Sequence, residues 1–381
     1  MTYDEFSEGL YFRCAIWHTV GGFIPPLEAP RMARWHKVTA FVGRVFWPFR
    51  KSRITTLAAL VVGLLRKQQV GLAGIAQGML DGTTVKHRVK RVGRFLGNKA
   101  FRPWEVTKHL IETMMPPGHE HLVVVDWTDR GEYMLLKASL VYQRRALVLA
   151  WRHVWKGVYE KSQNAVEEDL ILSLAKLIGP RRSWVLVADR GFGRAELFRT
   201  LDEADIGFVI RDADDVWVKT AGFEGRLWDL PRQRGKAVAY RNITYHKTKR
   251  LKVHLVVAHK EPAAAPWFLI TNLDLEPHRV QQIYAKRFWI EEGIRDCKSG
   301  LSLKRLWLSD PERMDRMMIV VAVAMLLILL TGAASLVRGD RPQVTTSKRK
   351  APPASLFTLG ARLLAMYPRL LCTDEGVLYA F

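Results

Sequence analysis

His121-Leu-Val-Val-Val-Asp126 and Trp184-Val-Leu-Val-Ala-Asp189 are two apolar runs of strand length, each ending in an aspartate. Continuous runs rich in β-branched residues suit strands buried on both faces, as in the parallel centre of an α/β sheet. Working outward, His121 to Asp129 reads as a first strand, Glu132 to Tyr142 as a second and Ala146 to Val154 as a third. Short turns at Arg130-Gly131 and Gln143-Arg144 join them. Apolar spacing predicts a helix over Asn164 to Ile178, a fourth strand over Ser183 to Asp189, a helix over Arg194 to Ala204 and a fifth strand over Gly207 to Arg211.

The order βββαβαβ followed by a helix is that of an RNase H-like domain, an α/β fold with a mixed five-stranded sheet. Here a β-rich insertion, with alternating runs at 238–245, 251–257 and 267–271, delays the closing helix, which Pro277 opens as an N1 proline. The expected organisation is a basic helical region at 1–115 and a catalytic domain at 119–214 and 276–337. The insertion occupies 215–275, and a basic linker with a C-terminal helical tail fills 338–381. Pro116-Pro117-Gly118 marks the first boundary. Phe23-Ile-Pro-Pro-Leu-Glu-Ala-Pro30 reads as loop.

The chain has 381 residues, 49% of them hydrophobic, and a net charge of +22. That size and content allow a large core, and the charge calls for a polyanionic partner, nucleic acid before an anionic membrane. Three cysteines, Cys14, Cys297 and Cys372, with no CxxC pair, exclude a zinc framework and fit a reducing cytoplasm. No signal peptide is expected. Met317 to Val337 has the roughly 20-residue length of a membrane span. Thr331, Gly332 and Ser335 within it, and the lack of a second such segment, favour a helix buried inside a protein core.

In Lys86-His-Arg-Val-Lys-Arg-Val-Gly-Arg-Phe95, helical spacing lines up Lys86, Lys90 and Arg94, or Arg91 and Arg94. A cationic helix face suits DNA phosphates or groove entry, against the plainer role of a solvated surface. Read as one helix, Tyr284 to Lys298 gathers Tyr284, Arg287, Glu291 and Lys298 within a sector of roughly 60°. Glu291 would then face Asp126 and Asp189 across the sheet. Phosphoryl transfer on DNA uses two divalent metals roughly 4 Å apart, for which three carboxylates are suitable ligands. Each aspartate taken alone is as readily a turn or capping residue, and Asp129 competes as the first ligand.

The series Tyr284-x2-Arg287-x3-Glu291-x6-Lys298 resembles the Tyr-Arg-Glu-Lys signature of bacterial cut-and-paste DDE transposases of the insertion sequence 4 group. Asp189-Arg-Gly-Phe192 and Asp126-Trp-Thr128 resemble that family's second and first aspartate motifs. The resemblance spans roughly residues 120 to 335. It implies that Asp126, Asp189 and Glu291 are catalytic and bind Mg²⁺, with Mn²⁺ as a substitute, while Tyr284, Arg287 and Lys298 hold phosphates of the transposon end. It further implies double-stranded DNA, both transposon ends and target, as partner, self-association in the DNA complex and a bacterial cytoplasmic location without a membrane. In relatives that excise through a DNA hairpin, aromatics handle a flipped base. Phe288 and Trp289 are the candidates here, with Trp217, Trp228 and Trp267 in the insertion, and Trp267 reads better as core. Alternatives are an inactive or domesticated DNA-binding relative, a nuclease without strand transfer and a membrane protein.

Overall fold

The structure, a computed structural model, describes residues 35–231, 235–259, 265–306, 308, 310–339 and 355–379. The loop expected around Phe23 to Pro30 and most of the basic linker lie outside these residues. The described residues fall within one compact unit.

Among the described residues five helices come first: α1 (His36–Val45), α2 (Lys51–Lys67), α3 (Leu72–Gly78), α4 (Val85–Gly97) and α5 (Pro103–Met114). The meander follows as β1 (Glu120–Arg130), β2 (Tyr133–Tyr142) and β3 (Arg145–Trp155). Next come α6 (Lys156–Ile178), β4 (Ser183–Ala188), α7 (Ala195–Glu203) and β5 (Gly207–Arg211). Thus α6 starts eight residues before the expected Asn164, directly after β3.

The sheet departs from a five-stranded expectation. The strands β6 (Trp217–Lys219), β7 (Glu224–Arg226), β8 (Ala237–Tyr245), β9 (Leu251–Ala258) and β10 (Trp267–Thr271) continue the same sheet, whose order is β3-β2-β1-β4-β5-β10-β9-β8-β6-β7. The join is the antiparallel pairing of β10 with β5, with Ile270 opposite Ile210. An open edge on β5 offers unpaired N–H and C=O groups, and β10 satisfies them.

Among the described strands only β1, β4 and β5 pair in parallel, and they are the apolar runs. Side chains alternate across a strand. Leu122, Val124, Val185, Val187 and Val209 therefore share one face, where they pack on Val280, Ile283, Tyr284 and Ile290. Those four belong to α8 (Pro277–Ala285) and α9 (Trp289–Arg295). Asp126 continues the series 122, 124, 126 and so looks toward α9.

The long apolar run lies in α10 (Pro311–Arg338), started by the Asp310 carboxylate, which accepts from Glu312 N at 2.9 Å, and by Pro311. Gly339 in the left-handed region, φ 74°, ends it. Its 18-residue apolar window is long enough to cross a membrane and is wholly buried within the protein. The covering elements include β3, α2, α4 and α11 (Leu356–Met366). Arg316 Nε donates to Leu96 O at the end of α4, and Arg313 Nη2 to Gly93 O at 3.3 Å. The basic N-terminal helices are thereby fastened to the helix that also backs β3.

Candidate active site

Parallel pairing sets Val125 opposite Ala188. The next residue in each chain segment is an aspartate, so Asp126, within β1, and Asp189, just past the end of β4, lie side by side. Burial, and then the Asp189 charge, push the Asp126 carboxyl up to about 6 from 3.8. Asp189 also has the capping role anticipated from sequence: its Oδ1 accepts from Gly191 N at 2.9 Å and starts the short turn Arg190–Phe192.

The Tyr284 to Lys298 segment is not one regular helix. After α8 come a 3₁₀ turn at Lys286–Phe288, then α9, then a π turn at Asp296–Gly300. Tertiary ties accompany the break: Arg145 on β3 pairs with Glu292 at 2.8 Å and with buried Asp296 at 3.2 Å. A π turn rotates less per residue than an α-helix and recurs at functional sites. The expected 60° sector is thus replaced by two groups. Tyr284 packs edge-on against Trp267 at 4.9 Å between centroids, and its neighbour in charge is Arg287. Lys298 sits on the side of Arg130 and Asp129, with Lys304 also near.

Both groups still bear on Asp126, because Arg287 and Lys298 each feel its charge. Arg287 Nη2 donates to Glu291 Oε1 at 2.8 Å, so one guanidinium stands among Tyr284, Asp126 and Glu291. In the structure the recorded partner of Glu291 is therefore Arg287, four residues earlier. Among the described residues, no three His, Cys, Asp or Glu side chains form a group that could hold a metal. The donor chemistry nevertheless suits a hard divalent cation, since two adjacent carboxylates, one pushed up by burial and repulsion, would both gain from a shared positive charge.

Asp129, the rival first ligand, lies inside β1 and is exposed. It is occupied by Lys156 Nζ at 2.6 Å and Gly131 N at 2.8 Å. Phe288 is 53% exposed, Trp289 is partly buried, and Trp267 packs against the core as expected. On α4, Lys86, Lys90 and Arg94 are exposed. Arg91 departs from that stripe: with Arg88 it clamps Asp81, at 3.1 and 2.7 Å, and holds that carboxyl at about 2.

Two features escaped the sequence reading. Lys137 on β2 lies opposite Asp126 in the ladder, is 2% exposed, and feels the charges of Asp126 and Lys298. Glu167 on α6, fully buried, accepts from Trp127 Nε1 at 2.7 Å and pairs with Arg194. That latch ties the residue after Asp126 to the loop that follows Asp189. The only sequence signal for it was a Glu-Glu-Asp run in a helix otherwise patterned for burial.

A family model described as transposase DDE domain matches residues 124–327, just over half of the chain. No curated protein matches it.

Proposed function

Because the chain belongs to the transposase DDE-domain family, whose members are generally metal-dependent enzymes that cleave DNA, we propose that it moves a bacterial insertion sequence of the insertion sequence 4 group. In this reading it binds the terminal inverted repeats, cleaves the phosphodiester at each end and joins the 3′-hydroxyl to target DNA. The observation that carries the reading is the register of β1 against β4, which sets Asp126 beside Asp189, with Arg287 of the turn before α9 close enough to feel the Asp126 charge.

Asp126 and Asp189 would hold the metal, Mg²⁺ or Mn²⁺, with Glu291 completing the set once it parts from Arg287. Bound there, divalent ions activate a water or 3′-hydroxyl and steady the leaving oxygen. The remaining work falls to the protein's own groups. Arg287, released from Glu291, offers a planar fork to a phosphate, and Lys298 a point charge on the opposite side of Asp126. The Tyr284 ring, buried against Trp267, fixes the end of α8, just beyond which Arg287 reaches out. Phe288 is exposed enough to stack on a displaced base.

Lys86, Lys90 and Arg94 on α4 supply a phosphate-binding face for the transposon end, and Arg91 supports that face through Asp81. Two equivalent ends call for at least a dimer in the DNA complex, working at the nucleoid in the cytoplasm. The Arg287–Glu291 pair favours a second reading, a relative that binds DNA without cutting it.

The deciding experiment incubates the purified chain and its Glu291→Gln variant with Mg²⁺, a linear duplex bearing the element's own ends and a supercoiled target. End cleavage and joined products with the wild type alone support the transposase. Cleavage without joining indicates a nuclease, and binding without cleavage by either protein indicates the inactive relative.

A further inference from the structure

Residues 35–104 contain fourteen Lys and Arg and a single acid, Asp81, which Arg88 and Arg91 already neutralise. Within this basic segment is Trp47, 76% exposed, the most exposed large apolar side chain among the described residues. Isolated exposed apolar residues are ordinary. Trp47 differs in how it is held.

The aromatic residues around it, Phe46 and Phe49, are buried and stack on each other at 5.8 Å. Phe49 meets Phe101 edge-on at 6.0 Å, and Arg53 Nη1 donates to Ala100 O at 3.2 Å, with its guanidinium over the Phe101 ring. The turn between α1 and α2 is thereby anchored to the segment that follows α4, and the indole is left facing outward. Exposed Arg50, Lys51, Lys99 and Arg102 flank this junction, and Lys90 and Arg94 extend the charge along α4. Arg91 Nη2, 3.4 Å from Thr56 Oγ1, joins α4 to α2 on the same side.

A flat aromatic on an anchored turn, flanked by four exposed cations, matches a ligand with π faces next to phosphates; the acids recorded at this junction, Glu375 on Arg44 and Glu112 on His109, are themselves paired. We propose that Trp47 stacks on a base of the bound DNA while Arg50, Lys51, Lys99 and Arg102 grip the adjoining phosphates. This contact lies on a different element from the Asp126 site and from the α4 stripe, and it rests on the transposase reading for the identity of the nucleic acid. Stacking is indifferent to base identity, so this contact adds affinity and DNA distortion rather than sequence readout.

The test uses the full chain, duplexes tiled across the DNA flanking its own gene with 2-aminopurine at successive positions, and vesicles of mixed phosphatidylglycerol and phosphatidylcholine. Trp47→Ala is expected to bind DNA about 10-fold more weakly and to lose a position-specific change in 2-aminopurine fluorescence, with the salt dependence of binding unchanged. Trp47→Phe should stay within about threefold of wild type, because a ring remains. The Arg50→Gln, Lys99→Gln double variant should instead flatten the log–log salt slope by about two. Since Trp47 is exposed, the variants should melt with the wild type.

Wild-type binding with an unchanged Trp47→Ala affinity and fluorescence pattern would overturn the stacking contact alone. Vesicle binding that depends on Trp47, with DNA binding indifferent to it, would overturn it in favour of a lipid surface. If the wild type binds none of the duplexes, the transposase reading itself fails.

Discussion

Lys137 stands directly across from Asp126 in the β1–β2 ladder, a fully enclosed ammonium beside a half-enclosed carboxyl on the same face of the sheet. Burial pushes the lysine down while the Asp126 charge supports it, and the lysine in turn favours ionised Asp126. Lys137→Met should therefore move the acidic limb of the cleavage pH profile upward by roughly half to one unit. Lys137→Arg, which keeps the charge, should leave that limb in place. Superimposable profiles for wild type and Lys137→Met would show that the ammonium does not act on Asp126.

Asp126→Asn should abolish cleavage and, at pH 8, make the fold more stable. With its carboxyl at about 6 in the fold and 3.8 as the ordinary value, the native state holds the Asp126 proton more tightly than the unfolded chain. The ionisation penalty is absent below about pH 4, grows between about 4 and 6, and stays constant above. Removing it should gain about 1–3 kcal/mol at pH 8 and nothing near pH 4. Urea denaturation at the two pH values measures the difference, and an equal effect at both would reject the burial account.

Metal binding should stabilise the wild-type chain through the same acids. A ligand at 100 times its Kd adds about 2.7 kcal/mol to a fold it binds selectively. Mn²⁺ is therefore expected to raise the melting temperature of wild type, with little or no shift for Asp189→Asn. The asparagine keeps the Oδ1 that caps Gly191 and so preserves the turn. Glu291→Gln should retain part of the shift, because Asp126 and Asp189 remain paired. Equal shifts in all three proteins would place the metal elsewhere.

The parts legible in the sequence were those governed by local pattern. The runs ending in Asp126 and Asp189 announced central strands because parallel strands need apolar residues on both faces. Pro277 marked a helix start through its missing N–H. What stayed hidden was set by distant partners. The breaks around Phe288 and Cys297 accompany ion pairs between Arg145 and the acids of α9 and the π turn. Alternation marks β10 as a strand without saying that Ile270 will pair with Ile210 and fuse the insertion to the catalytic sheet. Lys137 reads as a solvent-facing strand residue until the elements above it are in place.

Close packing of α10 on α11 sets a stringent steric limit. A Cβ at Gly360 would lie 1.9 Å from Ile328 O, and one at Gly332 2.1 Å from Leu356 O. Both contacts are with backbone, so the helices themselves must separate. Gly360→Ala should cost about 3 kcal/mol or more despite the better helix propensity of alanine. Equilibrium denaturation of Gly360→Ala checks this, and wild-type stability would mean that α11 docks differently.

Asp81 is the sole acid of residues 35–104, and its replacement separates the stability of this basic segment from its affinity for DNA. Because Arg88, Arg91 and Thr83 hold its carboxyl at about 2, below the ordinary 3.8, Asp81 contributes stability above about pH 4 that is lost as the pH falls toward 2. Asp81→Asn should cost about 1 kcal/mol at pH 7, the modest value expected for a pair partly open to solvent. The same change frees two guanidiniums beside the Lys86, Lys90, Arg94 stripe by removing their countercharge. Binding to any duplex should then tighten at low salt, with the salt slope steeper by about one to two phosphates. A variant that loses stability with an unaltered slope would show that Arg88 and Arg91 face away from the DNA and serve the fold alone.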